Sequence, residues 1–533
     1  MQSNKDLILN GNISIGIEFG STRIKAVLID PLGNILASGG FNWENQLVDG
    51  IWTYSQEAIW QGLQNAYQAL AQSVKEKYGV PIITAQAIGF SGMMHGYIPF
   101  DSQKNQLVPF RTWRNNFTEN SSKKLTALFH YNIPQRWSIA HLYQAILNEE
   151  KHVEQIDYLT TLSGYVHWML SGEKVLGIGE ASGMFPIDQQ TQSYDTSMLN
   201  AFDQLIAEKY YPWKIADILP KVLPAGKCAG YLTEEGARLL DPSGQLQAGI
   251  KMCPPEGDAG TGMVATNSIK ATTGNISAGT SAFAMIVLEK MLSKVYEQLD
   301  MVTTPDGKLV AMAHANNCST DINAWVQIFS ECLTLFGIKQ NTDNLYETLF
   351  RHALNGDENC GNLLSYGFYS GEHGVGLAEG CPLFIHPTGS QFNLANLIRM
   401  LLYSAFGAMK LGMDILMNEE KVAITQILAH GGIFKTPNVA SKILASALDV
   451  PIAVMDTASE GGAWGIALLA NYLAYAPKQS LEQYLQETIF KNTALSISDP
   501  EPSMKQGYAQ FIQRYKQGIP IAKAAAEFGS NKH

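Results

Sequence analysis

The stretch Gly16-Ile-Glu-Phe-Gly-Ser-Thr-Arg-Ile-Lys-Ala-Val-Leu-Ile-Asp30 decides the fold of this chain. It reads as an apolar strand, a Gly-Ser-Thr turn and a second apolar strand, and the polar turn over residues 30–34 leads into a further strand. Small residues at a hairpin tip leave backbone N–H groups exposed, and such a nest can hold phosphate oxygens. The stretch therefore predicts a β-hairpin whose tip is either an ordinary Gly-Ser turn or a phosphate site.

For the phosphate interpretation, the candidate contacts are Gly20, Ser21, Thr22 and Lys25. The acidic Glu18 stands two positions before the glycine, where a carboxylate can reach a magnesium ion beside the phosphates. No Gly-x4-Gly-Lys-Ser/Thr sequence occurs in the chain, which excludes a strand–loop–helix P-loop.

Length and composition indicate a large, folded and acidic protein. A chain of 533 residues is too long for one hydrophobic core, so two large domains are expected. The 46% hydrophobic and 16% charged fractions are typical of a packed globular enzyme, and the net charge of −11 argues against non-specific nucleic-acid binding. No signal-peptide pattern and no run of eighteen apolar residues is present, so we expect a cytoplasmic protein without a membrane span.

Strand-like and helical patterns alternate along the chain, which favours an α/β architecture. In the first half the patterns predict a helix over Gln56–Tyr78, a strand over Ile82–Phe90 and an inserted, mostly helical region over residues 105–220. In the second half they predict strands over Ile269–Ala284, Lys308–Met312 and Ile424–Ala429, and helices over Asn393–Met417 and Asn438–Leu448. The Gly-rich stretch 257–262 is the predicted hinge, so the predicted domains are residues 1–266 and 267–533.

The segment Ser91-Gly-Met-Met-His-Gly-Tyr97 follows a predicted strand, and ligand loops of open α/β sheets lie at strand ends. Its glycines let the backbone approach a ligand, and His95 can hydrogen-bond a polyol hydroxyl. The alternative is a strand-to-loop turn with a satisfied core histidine. The residues alone leave these two interpretations level.

The segment Gly257-Asp-Ala-Gly-Thr-Gly262 sets one carboxylate among small residues. Asp258 can accept a proton from an attacking hydroxyl, as kinase aspartates do. The alternative is an Asp-Gly turn or a helix N-cap.

Two further glycine-containing segments stand in the second half. Gly274-Asn-Ile-Ser-Ala-Gly-Thr-Ser281 echoes the first hairpin turn and suggests a duplicated fold. Ala429-His-Gly-Gly-Ile-Phe-Lys-Thr-Pro-Asn438 has adjacent glycines that permit a flat base or ribose to pack on the backbone. Here Asn438 either contacts that base or caps the following helix, and the alternative for the segment is a tight strand–helix loop.

In this order, the segments resemble the FGGY carbohydrate kinases, a branch of the actin-like ATPase superfamily, over nearly the whole chain. The matching segments are 16–25 and 274–281 for two phosphate turns, 91–96 for the sugar loop, 257–262 for the catalytic aspartate and 431–454 for the adenosine motif, followed by the helix-like stretch 460–467. The resemblance implies two RNase H-like domains of the actin/hexokinase type, flanking a central cleft, with the sugar on the first and ATP–Mg²⁺ mainly on the second.

The same resemblance implies a role for each site residue. Asp258 is the implied general base and also contacts the sugar and, together with Glu18, the Mg²⁺ ion. The implied sugar contacts are Met94, His95, Gly96 and Trp113. The implied ATP contacts are Gly20, Ser21, Thr22, Lys25, Gly279, Thr280, Ser281, Gly431, Gly432, Ile433 and Asn438.

Met94 and His95 make the sugar loop similar to the xylulokinase and gluconate-kinase branches. The expected acceptor is therefore a ketose such as xylulose or another pentulose, or a related sugar acid or polyol. The chain departs from the family pattern at three positions. Glu18 stands where the family usually has aspartate, and Ser21 where it usually has threonine. Asn115, in Trp113-Arg-Asn-Asn116, stands where the family's Trp-Asn-Asp-x-Arg has aspartate. The alternatives are an actin- or chaperone-like nucleotide sensor and a degenerate kinase, and family members are commonly homodimers.

Overall fold

The computed structural model describes residues 3–455 and 461–530. The chain divides into two compact units. The described parts of the first unit are residues 3–269, 300–310 and 461–492, and those of the second are 270–299, 311–455 and 493–530. Two segments beyond residue 267 thus belong to the first unit, and a single domain boundary between residues 266 and 267 stays a prediction.

The described strands alternate with helices along the chain. In chain order the strands are β1 Ser14–Phe19, β2 Arg23–Ile29, β3 Ile35–Asn42, β4 Gln46–Val48, β5 Ile51–Thr53, β6 Ala87–Gly92, β7 Ile98–Phe100, β8 Tyr158–Thr160, β9 Val175–Gly177, β10 Ile187–Asp188, β11 Ser193–Tyr194, β12 Lys221–Leu223, β13 Lys251–Met252, β14 Glu256–Gly257, β15 Thr273–Ala278, β16 Ala282–Val287, β17 Leu299–Thr303, β18 Leu309–Ala315, β19 Leu364–Tyr366, β20 Leu383–Ile385, β21 Gln426–His430, β22 Ile452–Met455 and β23 Leu495–Ser498.

The α-helices are, in the same order, α1 Asn4–Leu9, α2 Gln56–Tyr78, α3 Glu119–Phe129, α4 Ser138–Leu147, α5 Leu162–Ser171, α6 Ile178–Ala181, α7 Thr196–Leu205, α8 Ile215–Ile218, α9 Glu234–Leu240, α10 Asp258–Ala265, α11 Thr320–Leu335, α12 Thr342–Ala353, α13 Leu394–Ala405, α14 Gly407–Asp414, α15 Ala440–Leu448, α16 Gly461–Tyr475, α17 Leu481–Tyr484 and α18 Pro502–Ser530. Short 3₁₀ turns lie at Lys151–Gln155, Ala207–Lys209, Cys360–Asn362, His373–Val375 and Gly432–Phe434, and π turns at Ile415–Glu419 and Leu485–Ile489.

The first unit is built on a sheet with strand order β13-β6-β1-β2-β3, and β14 also pairs with β6. Strand β1 is antiparallel to β2 and parallel to β6. The register sets Glu18 opposite Lys25 on one side and opposite Ser91 on the other. The predicted hairpin is confirmed, and the parallel strands carry their carboxyl ends to one edge, where the loops after β1, β6 and β14 meet.

Helix α2 packs the outer face of that sheet for reasons visible in its sequence. Ser55 caps its first turn by accepting a hydrogen bond from the Ala58 amide, and Gly79 ends it in a left-handed conformation with φ 71°. Its buried side chains join one hydrophobic core with the apolar residues of β1 and β2. The opposite face of β1 carries Gly16, where an added methyl group would lie 2.4 Å from the Ala463 carbonyl oxygen of α16.

The second unit repeats the same hairpin arrangement. Its strands run in the order β18-β16-β15-β21-β22-β23. Strand β15 is antiparallel to β16 and parallel to β21, as β1 is to β2 and β6. This duplication confirms the predicted mixed α/β fold of two related units.

Several predicted bounds differ from the observed ones, whereas the helix Gln56–Tyr78 matches. The strand predicted over Ile82–Phe90 begins only at Ala87, and the one over Ile269–Ala284 is a hairpin of β15 and β16. The region 105–220 mixes helices with short strands. The hinge predicted over residues 257–262 lies instead in helix α10, where a methyl on Gly465 of α16 would lie 2.0 Å from the Thr261 carbonyl oxygen. Gly462 and Gly465 of α16 permit this close helix packing.

The helix predicted over Asn393–Met417 is broken into α13 and α14, followed by a π turn. Within the described residues, no single helix has the length and hydropathy of a membrane span. By the same criteria, α13 and Gly407–Glu419 qualify only as a pair, bent by 46°.

Candidate functional site

Asp258 is the first residue of α10 and directly follows β14 in the first unit. Its Oδ1 accepts hydrogen bonds from the amide of Met94, at 3.3 Å, and from its neighbour Ala259, at 2.9 Å. The positive end of the helix also favours a negative charge here. The aspartate and the 91–97 loop, distant in sequence, are thus brought together.

Two opposing influences act on the pKa of Asp258. Desolvation by the dense protein surroundings raises it to about 6, while the amides of Met94 and Ala259 lower it by binding the charged form. The residue nevertheless keeps a solvent-exposed surface. A carboxyl with this pKa is mostly ionised at pH 7 and basic enough to accept a proton from a positioned hydroxyl.

The loop after β6 holds Met94 and His95 in buried positions. His95 adopts φ 70°, in the left-handed region, and its ring stacks on Trp137 at 6.2 Å between centroids. Its Nδ1 lies 3.1 Å from the Gly183 carbonyl oxygen. Because a carbonyl only accepts, Nδ1 carries a proton and donates it to this oxygen.

Gly96 shapes this loop through its backbone. Its amide donates to the Arg136 carbonyl, and its own carbonyl accepts from the Ser138 hydroxyl at 2.6 Å. It has φ 92°, and an added methyl would lie 2.9 Å from the Arg111 carbonyl oxygen. A side chain is therefore excluded here, and Gly96 holds the loop in shape.

The 113–116 segment contains one exposed aromatic side chain and one buried amide. Trp113 is 39% exposed, and no hydrogen bond or ring contact in the described chain joins it to the 91–97 loop. Asn115 is buried: its Nδ2 donates to the carbonyls of Trp52, at 2.8 Å, and Thr112, at 3.0 Å, and its Oδ1 accepts from the Trp52 amide at 2.9 Å. Asn115 departs from the family pattern at a buried position, where its amide joins the backbone of Trp52 to that of Thr112, with a longer contact of 3.5 Å to the Thr112 hydroxyl.

The first phosphate-type turn is held from behind by two aromatic residues. The Trp43 indole donates to the Gly20 carbonyl at 2.7 Å, and the Tyr54 hydroxyl donates to the Ser21 carbonyl at 2.6 Å. The two rings stack with centroids 4.0 Å apart. The amides of Ser21 and Thr22 have no acceptor among the described residues. The turn thus presents the two N–H donors that an anion nest needs.

Glu18 and Lys25 face each other across the β1–β2 pair, just before and after this turn. Gly462 leaves room for the Glu18 carboxylate, since a methyl there would lie 2.2 Å from Glu18 Oε1 and 2.9 Å from Thr261 Oγ1. Glu460, which opens the matching helix motif in the sequence, lies outside the described residues. Within the described chain, no three His, Cys, Asp or Glu side chains are grouped to hold a metal ion.

The second unit brings its own glycine segments together. The turn at Gly279 follows β15, and Gly431 follows the neighbouring parallel strand β21. Gly431 has φ 122°, and an added methyl would lie 2.0 Å from the Ala278 carbonyl oxygen, whereas a methyl on Gly432 would meet open space. Only glycine fits the first position. Thr280 and Ser281 complete the turn, whose Gly279 and Thr280 carbonyls accept from the Ser319 and Cys318 amides.

The remaining residues of this segment divide between core and surface. Ile433 is 3% exposed and packs in the core, so its side chain does not line an open surface. Asn438 is exposed with φ 61°. It does not cap α15, because the N-cap residue of that helix is Val439, and no side chain makes a capping hydrogen bond there. The capping interpretation of Asn438 is therefore wrong.

Two buried carboxyls near Asp258 were missed by the sequence reasoning. Glu256 accepts hydrogen bonds from the amides of Gly179, at 3.3 Å, and Glu180, at 2.9 Å, and burial raises its pKa to about 8. Glu180 is fully buried, and burial raises its pKa well above the usual range, with the Thr161 hydroxyl opposing that rise. The available signal was the pair Gly177 and Gly179, since a methyl at either would strike the Glu256 carboxylate.

Comparisons with known proteins agree with this geometry. The FGGY family of carbohydrate kinases matches with its N-terminal domain over residues 13–244 and with its C-terminal domain over residues 274–474. A xylulose kinase of Haemophilus influenzae is 22% identical over 517 residues, which cover 94% of this chain and 98% of that enzyme.

Solved structures share the fold at low sequence identity. A ligand-bound xylulose kinase from Lactobacillus acidophilus aligns with a TM-score of 0.78 at 18% identity, covering 97% of this chain and 99% of that one. A gluconate kinase from the same organism gives the same TM-score and identity, covering 96% and 99%. With both domain models matched over most of its length, the chain belongs to the FGGY family of carbohydrate kinases and is a phosphotransferase.

Proposed function

We propose that this protein transfers the γ-phosphoryl group of ATP to a hydroxyl of a small sugar, with Asp258 as the general base. The observation that carries the proposal is the placement of Asp258: a carboxylate at a helix N-terminus, bonded to the Met94 amide and solvent-exposed. In phosphoryl transfer the protein mainly positions the groups and stabilises charge, and one carboxylate takes the proton of the attacking hydroxyl.

The acceptor is held by the 91–97 loop in this proposal. His95, whose ring is oriented by the Gly183 carbonyl, is assigned to a hydroxyl of the sugar. Met94 supplies an adaptable apolar surface against the carbon skeleton. Gly96 fixes the loop, and Trp113 is proposed to add an aromatic surface when substrate binds.

The donor MgATP is the second substrate. Kinases of this family use ATP. We assign phosphate contacts to the Gly20–Thr22 turn, where the Ser21 and Thr22 amides have no acceptor among the described residues, together with Lys25, and to the Gly279–Ser281 turn. The Gly431–Gly432 backbone and Asn438 are assigned to the nucleoside, and the buried Ile433 supports them from the core. Glu18 and Asp258 are assigned to the magnesium ion that accompanies ATP, because carboxylate oxygens are its preferred protein ligands.

The class of acceptor is a pentulose or another ketose, or a related sugar acid or polyol. The relatives with xylulose and gluconate kinase names are equally similar in fold, so fold does not choose between these acceptors. Because Asn115 bonds to backbone, its difference from the family pattern does not argue against a ketose.

A panel assay tests the proposal. Purified protein is incubated with MgATP and pentuloses, hexuloses, polyols and aldonates, and ADP release is measured against a sugar-free control. We expect at least one acceptor to raise ADP release well above the control. ADP release at the sugar-free level with every member of a broad panel would count against a sugar kinase.

A further inference from the structure

Glu180 is a buried carboxyl that the fold itself does not satisfy. It lies in the short helix α6 and has no solvent-exposed surface. The Thr161 hydroxyl lies close enough to lower the pKa of Glu180, but neither carboxyl oxygen makes a hydrogen bond of normal geometry with any described residue. A buried polar group without a partner lowers the stability of the protein, so its presence points to a role other than folding, such as ligand binding.

The neighbouring Glu256 shows the contrast. It is equally buried, but its two oxygens accept the amides of Gly179 and Glu180 at the start of the same helix. Glu256 is thus a structural carboxyl with its partners supplied by backbone. Glu180 has the same chemistry and the same burial but lacks those partners.

Glu180 lies against the proposed reaction site. A methyl group on Gly257, the residue before Asp258, would lie 2.4 Å from Glu180 Oε2 and 2.2 Å from Met94 Cγ. A methyl on Gly183 would lie 2.9 Å from Met94 Cε. The Met94 side chain therefore extends between Gly183 and Gly257, and at Gly257 it lies beside the Glu180 carboxyl and next to Asp258.

Met94 is the one flexible element at this place. Its side chain has three rotatable bonds and adapts to different neighbours at little cost. The Met94 side chain and the Glu180 carboxyl together fill the space beside Gly257. A ligand atom reaches Glu180 from this side only if the Met94 side chain moves.

We propose that Glu180 is a specificity-determining residue of the acceptor site, whose carboxyl hydrogen-bonds a second hydroxyl of a polyol acceptor once the Met94 side chain turns aside. This inference rests on the proposed function. The ligand class is a sugar or polyol with a hydroxyl next to the one that Asp258 activates. An acceptor without that neighbouring hydroxyl leaves the buried carboxyl unpaired and is disfavoured.

The test compares two substitutions of equal shape. In E180M the apolar side chain removes an unpaired buried carboxyl, so we expect the free protein to melt at a higher temperature than the wild type. The same variant loses the contact with the acceptor, so KM for the sugar rises by roughly tenfold or more while KM for ATP is unchanged. E180Q keeps a hydrogen-bonding group of the same size and restores most of the acceptor affinity.

E256M is the matched control. It removes a carboxyl that is fully bonded to backbone amides, so we expect a lower melting temperature. Opposite shifts in E180M and E256M separate a ligand-binding carboxyl from a structural one. A lower melting temperature in E180M with an unchanged sugar KM overturns the proposal, because Glu180 is then structural.

A higher melting temperature in E180M with an unchanged sugar KM also overturns it, since the carboxyl then binds only water. Sugar-induced thermal shifts separate this inference from the kinase proposal. A wild-type shift that E180M loses supports the role of Glu180 even without ADP release, a result that would refute the kinase proposal alone. No polyol-induced shift in the wild type overturns the inference.

Discussion

The substitution N115D tests whether the 113–116 segment reads the substrate or holds the backbone. The change introduces the aspartate of the family pattern into this chain. If Asn115 faced the acceptor, the variant would change acceptor preference. The structure instead shows Nδ2 donating to the Trp52 and Thr112 carbonyls, so we expect a loss of stability.

The magnitude follows from these contacts. An ionised aspartate loses both donor bonds and sets carboxylate oxygens against two carbonyl oxygens in a buried place. Two lost bonds cost about 1 kcal/mol each, and the poorly solvated charge adds about 1–3 kcal/mol. We expect a total of about 3–5 kcal/mol, which gives a melting temperature several degrees below that of the wild type.

The pH dependence of this loss has a definite sign. Burial against carbonyls disfavours the ionised form, so the folded-state pKa of the new carboxyl is raised above its usual value of about 3.9. The loss is therefore full above the folded-state pKa and shrinks as pH falls through it, because the protonated acid regains one donor.

The control is N116D, which makes the same change at an exposed neighbour. Thermal melts of both variants at pH 5 and pH 8, together with kcat/KM across the sugar panel, form the assay. If N115D is as stable as N116D and shifts acceptor preference, the structural assignment of Asn115 is refuted.

Three further predictions concern the nucleotide site, the base and a buried acid. G431A is expected to abolish the ADP-induced thermal shift, because its methyl would lie 2.0 Å from the Ala278 carbonyl oxygen. The control G432A is expected to keep the ADP-induced shift, because its methyl meets open space. Equal shifts in the two variants would remove this segment from the nucleotide site. The kcat/KM of the wild type is expected to fall as pH drops through about 6, because the raised pKa of Asp258 then leaves it protonated; a flat profile from pH 5 to 8 speaks against it as the base. Burial raises the pKa of Glu256 from 4.5 to about 8, so the wild type loses up to about 5 kcal/mol of stability as pH rises between these values. The variant E256Q is therefore expected to gain stability relative to wild type from pH 5 to pH 8. A difference between the two melting temperatures that does not change with pH would contradict this.

Local signals predicted those parts of the fold that local sequence controls. The hairpin of β1 and β2 was predictable because two apolar runs flank a glycine-containing turn. Helix α2 was predictable to its end residues because Ser55 caps its start and Gly79 its end. Asp258 was found because it stands among glycines, and the 274–281 turn because its sequence resembles that of the first hairpin turn.

The missed features depend on contacts distant in sequence. The segment 257–262 looks like a hinge because it is rich in glycine, but it leads into helix α10, which packs closely on Gly465 of α16. Asn115 looks like a substrate residue until its bonds to Trp52 are seen, sixty-three positions away. Glu180 and Glu256 carry no signal of their own in sequence, because a glutamate is ordinarily exposed and only the folded chain buries it.

The central claim is that Asp258 is the general base of a sugar kinase. The rate of sugar phosphate formation by D258N, compared with that of the wild type, tests this claim most directly. Both proteins are given MgATP and the best acceptor of the panel, the phosphorylated product is quantified by mass spectrometry, and ADP binding is checked by thermal shift. We predict that D258N binds ADP like the wild type but forms product slower by roughly three orders of magnitude or more. Product formation by D258N at a rate near that of the wild type would contradict the account.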